Sequence, residues 1–227
     1  MHNYHDETWG RPEVKAIRLF ESQTLQLMQC GVTWSVVWSK RDHFRRAFKN
    51  YDIAQVAAFT TKDIEDLLEW PEKTIIRNRS KIKAVVTNAK IIAKMEDSSA
   101  KGTGPSFADL LWSFCPATDD ERLKPPASVS GNHMRSEGVD AKSYAARDLS
   151  DGVHPTKTVC ALSDELKKRG FGFMGPTTVL SFMQAIGVVN HHDRDCCVFE
   201  RNEREVSDLL KWRAEGRSVE KWAYGKA

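Results

Sequence analysis

The stretch NHHDRDCC, residues 190–197, places two histidines and two cysteines within seven positions. Imidazole nitrogen and thiolate sulfur are the donors of a zinc site. The His-x-x-x-Cys spacing of His192 and Cys196 puts both on one face of a helix, or within reach of one ion on a loop. Two donors do not close a structural zinc site, which takes four, so a partner must come from elsewhere in the chain. The alternative is an ordinary loop whose cysteines pack as small apolar groups. The local residues leave both open.

A second constellation is KKRGFGFMGPTT, residues 167–178. Glycines let backbone amides approach a ligand closely, and a helix beginning near Pro176 and Thr177 offers unpaired N–H groups and a positive dipole end. Phosphate suits such a place, and Lys167, Lys168 and Arg169 add positive charge just before Gly170, Gly172 and Gly175. The same residues could form a tight helix–helix turn with no ligand. Near the start, Tyr4, Trp9, Trp34 and Trp38 could stack a planar ligand or fill the core. Ser22, Gln23, Gln26 and Gln29 form a polar stripe beside them, expected to face solvent.

The elements that must carry these residues are helical. Residues 14–30 show helical spacing in Ile17, Phe20, Thr24, Leu27 and Met28, and Gly31 ends the run. Residues 33–50 predict one further helix with Val37, Phe44 and Phe48 on a face and Lys40, Arg41, Arg45 and Arg46 elsewhere. Thr60 or Thr61 caps a third, with Ile64, Leu67 and Leu68, that Pro71 stops. IIRNRSKIKAVVTNAKIIAKM predicts a long helix with a basic first half, and FADLLWSF a short apolar one. Two helical patterns flank the glycine turn. No alternating strand pattern competes.

Length and composition set limits. The 227 residues, 41% hydrophobic and 29% charged, suit one globular domain rather than a disordered chain. We expect a helical domain over residues 1–198, interrupted by an irregular Pro-, Ser- and Gly-rich excursion at about 115–154, and a charged tail over 199–227, helical and partly loose. The formal charge of +3 does not by itself announce a nucleic-acid binder. No apolar run approaches the ~20 residues that span a bilayer, and the N-terminus lacks the pattern of a signal peptide. Five cysteines, an odd number, make no disulfide framework. An intracellular protein without membrane partners is expected, nuclear in a eukaryote and cytoplasmic in a bacterium.

Taken in order, YHDETWG, QCGVTW, VVWSKRDHFRRAF, IIRNRSKIKAVVTNA, LLWSF and LKKRGFGFMGPTTVLSFMQAIGVVNHHDRDCC closely resemble the DNA-3-methyladenine glycosylase I family. The resemblance runs from Tyr4 to Cys197, apart from the excursion. It implies an all-α fold of the helix-hairpin-helix DNA glycosylase superfamily, with Lys167, Lys168, Arg169, Gly170, Gly172, Gly175 and Thr177 in the hairpin that grips DNA phosphates. It implies a zinc ion that ties the N- and C-terminal segments, with His5, His192 and Cys196 as ligands. The family's fourth ligand, a cysteine about a dozen residues before that histidine, has no counterpart here, and His2 could take its place.

In the family a glutamate within an E-x-x-x-AG-(L or V)-SW pattern contacts the alkylated base; alignment on QCGVTW puts Gln26 there. Tyr4 and Trp34 match aromatic residues that sandwich the flipped base. Cys30 replaces the usual alanine and Thr33 the usual serine. The implied function is base-excision repair by a monomer acting on double-stranded DNA with alkylated bases. It would hydrolyse the N-glycosidic bond of 3-methyladenine, with activity that Gln26 would reduce. The alternative is a protein that binds damaged or flipped nucleotides without cleaving them.

Overall fold

The computed structural model describes residues 2–70, 74–116 and 157–222; of His2 and Asn3 it describes the backbone only. The described residues form helices and no strand. In chain order these are α1 (His2–Glu7), α2 (Ala16–Gln29), α3 (Trp34–Ser39), α4 (Arg41–Ala47), α5 (Ile53–Ala57), α6 (Thr61–Leu68), α7 (Arg79–Ala100), α8 (Phe107–Ser113), α9 (Lys157–Lys168), α10 (Pro176–Ala185) and α11 (Phe199–Ala214). The excursion expected at 115–154 lies almost wholly outside the described residues, as do residues 223–227.

Local chemistry fixes several starts. Thr60 caps α6 in a reciprocal box with Asp63, while the Asn78 and Ser106 side chains cap α7 and α8. The sequence expectation differs from the structure in places. Residues 33–50 form two short helices that break at Lys40, followed by a 3-10 turn, Lys49–Tyr51. WSVVWS consists of β-branched, aromatic and serine residues, all modest helix formers, and does not sustain a longer helix. The long helix begins at its Asn78 cap rather than at Ile75, and it continues to Ala100.

α7 lies at the centre, packed against α2, α5, α6 and α8. Its Ile82, Val85, Ala89 and Ile92 are fully buried, as are Leu19, Phe20 and Leu27 of α2, Phe107 and Trp112 of α8, Leu162 of α9 and Phe182 of α10. Because α2 touches α3, α7, α8 and α10, little of its surface reaches solvent. Gln23 and Gln26 are therefore buried at 0% and 6% exposure, against the expectation of a solvated stripe. Over its described part the tail is packed: Val206, Leu209, Val219 and Trp222 are buried in the core.

Candidate active site and metal centre

α2 and the loop after it deliver the aromatic site. Gly31 turns the chain out of α2 with φ +76°, Thr33 precedes α3, and Trp34 opens that helix. One turn later, at Trp38, a second indole follows on the same face. Tyr4, from α1, meets both: its ring lies 5.4 Å from Trp34 and 4.2 Å from Trp38, and the indoles are 5.8 Å apart. Arg41 stacks over Trp38 at 4.6 Å and is held from behind by Glu21, which also takes Arg45. Burial pushes the Tyr4 phenol well above its ordinary value, with Arg41 opposing, so the hydroxyl is a neutral donor.

A base stacked on both sides needs about 7 Å between the flanking rings, two contacts of about 3.5 Å. Tyr4 and Trp34 are closer than that. A planar ligand enters between them only if they part. The side chain of Gln26, sited on α2 and buried, forms no hydrogen bond to a described residue. Gln23, one turn earlier, is also without a partner at either amide atom.

A lysine that sequence reading grouped with the basic half of the long helix has another position. Lys81 is 6% exposed and donates to the carbonyls of Met28, at 2.9 Å, and Cys30, at 2.5 Å. These are end carbonyls of α2, so the ammonium caps that helix and pins the loop leading to Trp34. Burial lowers the Lys81 pKa. A lysine three residues from its helix's cap reads as surface charge until α2 is seen beside it.

The predicted metal residues come together although His5 and Cys196 are 191 positions apart. Cys196 Sγ lies 3.7 Å from His5 Nε2 and 3.5 Å from His192 Nδ1, with all three donor atoms within 4.8 Å. Ligands on a tetrahedral zinc stand about 3.5 Å apart, given bonds of about 2.0 to 2.3 Å. The remaining ring nitrogens are oriented: His5 Nδ1 pairs with Asp6 at 2.7 Å, and His192 Nε2 with the Trp9 carbonyl at 3.1 Å. Each histidine thus turns a free lone pair toward the cluster, the arrangement a metal-binding imidazole needs. Burial holds His192 below its usual pKa, which favours the neutral ligand form, and raises the Cys196 thiol, which a cation's charge would have to reverse. Gly10 is required here. Its φ is +77°, and a Cβ would stand 2.7 Å from His192 Nε2. His2, the suggested fourth ligand, has its side chain outside the described residues.

The glycine turn joins α9 to α10. Gly172 packs so closely on α7 that a Cβ would meet that of Ala84 at 2.8 Å, and Asn88 clamps its backbone, accepting from N–H at 2.8 Å and donating to C=O at 3.3 Å. Ser163 donates to the Met174 carbonyl at 2.8 Å. Beyond this anchored half the turn is open: Gly175 has nothing within 4 Å of a Cβ position, and Thr177 is exposed. Lys167 and Arg169 pair with Asp164 and Glu165, while Lys168 forms no ion pair among the described residues. Thr178 Oγ1 lies 3.6 Å from Cys30 Sγ, so the turn also touches the end of α2.

Residues 1–200 match the family model for methyladenine glycosylase. The chain is 36% identical over 200 residues to DNA-3-methyladenine glycosylase 1 of Escherichia coli K12, covering 88% of this chain and 91% of that protein. It is 36% identical over 196 residues to the Haemophilus influenzae DNA-3-methyladenine glycosylase, covering 86% and 89%. Among solved structures, a crystal structure of 3-methyladenine DNA glycosylase I superposes with a TM-score of 0.68 at 35% identity, covering 86% of this chain and 92% of that one. The Staphylococcus aureus enzyme, described for its recognition of 3-methyladenine, superposes with a TM-score of 0.64 at 30% identity, covering 87% and 90%.

Proposed function

The chain belongs to the methyladenine glycosylase family and is an enzyme that hydrolyses the N-glycosidic bond of 3-methyladenine in DNA, and we propose how its own residues do so. The observation that carries the assignment of the site is the meeting of Tyr4, from one end of the chain, with Trp34 and Trp38 after α2.

N3-methylation leaves adenine positively charged, so the base departs without prior protonation. The enzyme must draw the nucleotide from the stack, which costs a few kcal/mol, and hold it while the sugar becomes cationic. Tyr4 and Trp34 part to receive the base between them. A cation over an aromatic face gains about 0.5 to 2 kcal/mol, which favours the methylated base over ordinary adenine. The bonding pair of the C1′–N9 bond passes to the base and neutralises it; water adds to C1′ and releases a proton to solvent. Gln26 lacks the charge of a carboxylate but can accept from N6–H and donate to N7, as glutamine does on adenine elsewhere. Recognition persists, with weaker discrimination.

The turn between α9 and α10 serves as the hairpin of a helix-hairpin-helix site, its exposed amides near Gly175 and Thr177 meeting phosphate oxygens and Lys168 adding charge. His5, His192 and Cys196 form a donor set of two nitrogens and one sulfur suited to zinc. Bound there, zinc would act as a cross-link between α1 and the segment before α11; no chemical step passes through it. The partner is double-stranded DNA carrying alkylated bases, bound by a monomer. No helix among the described residues is long and apolar enough to cross a membrane.

The test is incubation of the purified protein with alkylated DNA and analysis of the freed bases. Slow release of 3-methyladenine is expected. Binding without release, with the Gln26→Glu variant equally inert, would identify a protein that recognises damage without excising it.

A further inference from the structure

The family match ends at residue 200, yet the fold continues through α11 and a 3-10 turn, Val219–Lys221. One end of this added element is fixed. Val206 and Leu209 are fully buried, and Asp109 on α8 accepts from Ser218 Oγ at 2.8 Å and Val219 N at 2.9 Å. The other end reaches the N-terminal segment. Glu205 takes Arg11 at two points, 3.0 Å to Nε and 2.6 Å to Nη2, and Arg201 donates to the carbonyl of Asp6, the residue after His5. Asn202 is fully buried, its Nδ2 3.0 Å from where a Cβ on Gly10 would stand. Glu203 accepts from Asn190 Nδ2 at 2.8 Å and so holds the loop before His192. On the opposite side of the helix Glu200 and Arg204 face solvent.

α1 has six residues, too few to persist as a helix without tertiary support. We propose that α11 is a positioning clamp that, through Arg201 and Glu205, holds α1 so that Tyr4 stays against Trp34 and Trp38 independently of any ion bound by His5, His192 and Cys196. Arg201 grips the backbone of α1, while Glu205 fixes the chain where it leaves Gly10. A partly buried two-point Arg–carboxylate pair has the directional character such a task needs. The consequence for catalysis rests on Tyr4 as a base-binding ring; the clamp itself does not.

Amide hydrogen exchange of the full-length protein separates the two. Arg11→Glu and Glu205→Arg are each expected to speed exchange over residues 4–9 by about tenfold or more, with α7 unchanged, because a local opening is released. The double reversal should restore slow exchange by rebuilding the pair, and KM for DNA containing 3-methyladenine should rise in the single variants and return in the double. Chelator-treated wild type should keep residues 4–9 protected. Where reversal disturbs folding, Glu205→Gln carries the same measurement with little change of shape. Unaltered exchange at residues 4–9 in Glu205→Arg and Glu205→Gln, or full loss of protection on chelation alone, would overturn the clamp. Faster exchange with unchanged base release would support the clamp and remove Tyr4 from the base site.

Discussion

Position 26 sets an electrostatic question that one substitution can answer. A glutamine buried to 6% exposure brings no charge to a cationic base. In Gln26→Glu a carboxylate would be attracted to it, and hydrogen bonds to charged groups contribute about 1.5 to 3 kcal/mol, so base release should accelerate about 10- to 100-fold. Burial raises a carboxyl pKa, so the variant's rate should climb with pH as its new carboxyl ionises, a rise the wild type lacks. A flat profile with no acceleration would place Gln26 outside the base pocket. Trp34→Ala removes a stacking face as well as a cation–π contact, and kcat/KM should fall by about 10²-fold or more with melting little changed, since Trp34 is only half-buried. The meeting of Tyr4 with Trp34 was legible through the resemblance because their neighbours in sequence form recognisable motifs. Trp38 was visible only as one of several rings, and the Asp6 and Trp9 contacts of the two histidines were not visible at all. Their partners come from distant segments or from the backbone.

At the scale of elements, the turn between α9 and α10 and the end of α2 are the parts that mutation can probe independently of the chemistry. Gly175→Asp places a negative side chain in open space before the first turn of α10. The fold should tolerate it, and Asp is a good cap there, yet DNA binding should weaken because its charge opposes phosphate. Lys168→Ala should lower the salt slope of binding by about one. Normal DNA affinity in a folded Gly175→Asp protein would leave the turn as a helix connection only. Lys81→Met strands the carbonyls of Met28 and Cys30, with a loss of about 1 to 3 kcal/mol read from denaturant melts. The depressed pKa of Lys81 has a pH signature. Between its folded value and its ordinary value of 10.5 the unfolded chain holds the extra proton, so wild-type stability gains from Lys81 as pH rises through that alkaline window. The methionine variant should lose that contribution. Most helices could be read from periodicity and caps, because α2, α6, α7 and α8 each carry a continuous apolar face. α1 and α5 could not, being of six and five residues and held by packing rather than propensity. Residues 33–50 were misjudged as one helix for the converse reason, a continuous apolar face whose residue types sustain only short turns.

For the whole molecule the governing fact is that the first residues of the chain meet distant ones, His5 with Cys196 across 191 positions of sequence and Arg11 with Glu205 across 194. No periodicity announces such a contact. The meeting of His5 with His192 and Cys196 was legible only because a resemblance paired two distant motifs, and Glu205 of the ion pair lies beyond the family match. Two ties of different chemistry predict a stability that depends on metal in degree rather than absolutely. With free zinc held at a hundred times its Kd, binding to the folded state adds about 2.7 kcal/mol, which for a chain of this size raises Tm by roughly 5–10 °C. Chelation should remove that increment while leaving one cooperative transition, since α11, α8 and the central core remain packed. His5→Ala should melt near the chelated protein and respond weakly to zinc, because two donors remain where three had been. Cys196→Ala should do the same, with the zinc content of the purified protein falling in both. A wild type that melts at one temperature with and without zinc, and contains no metal when purified with it, would leave the three residues as a hydrogen-bonded cluster and assign the joining of the ends to α11 alone.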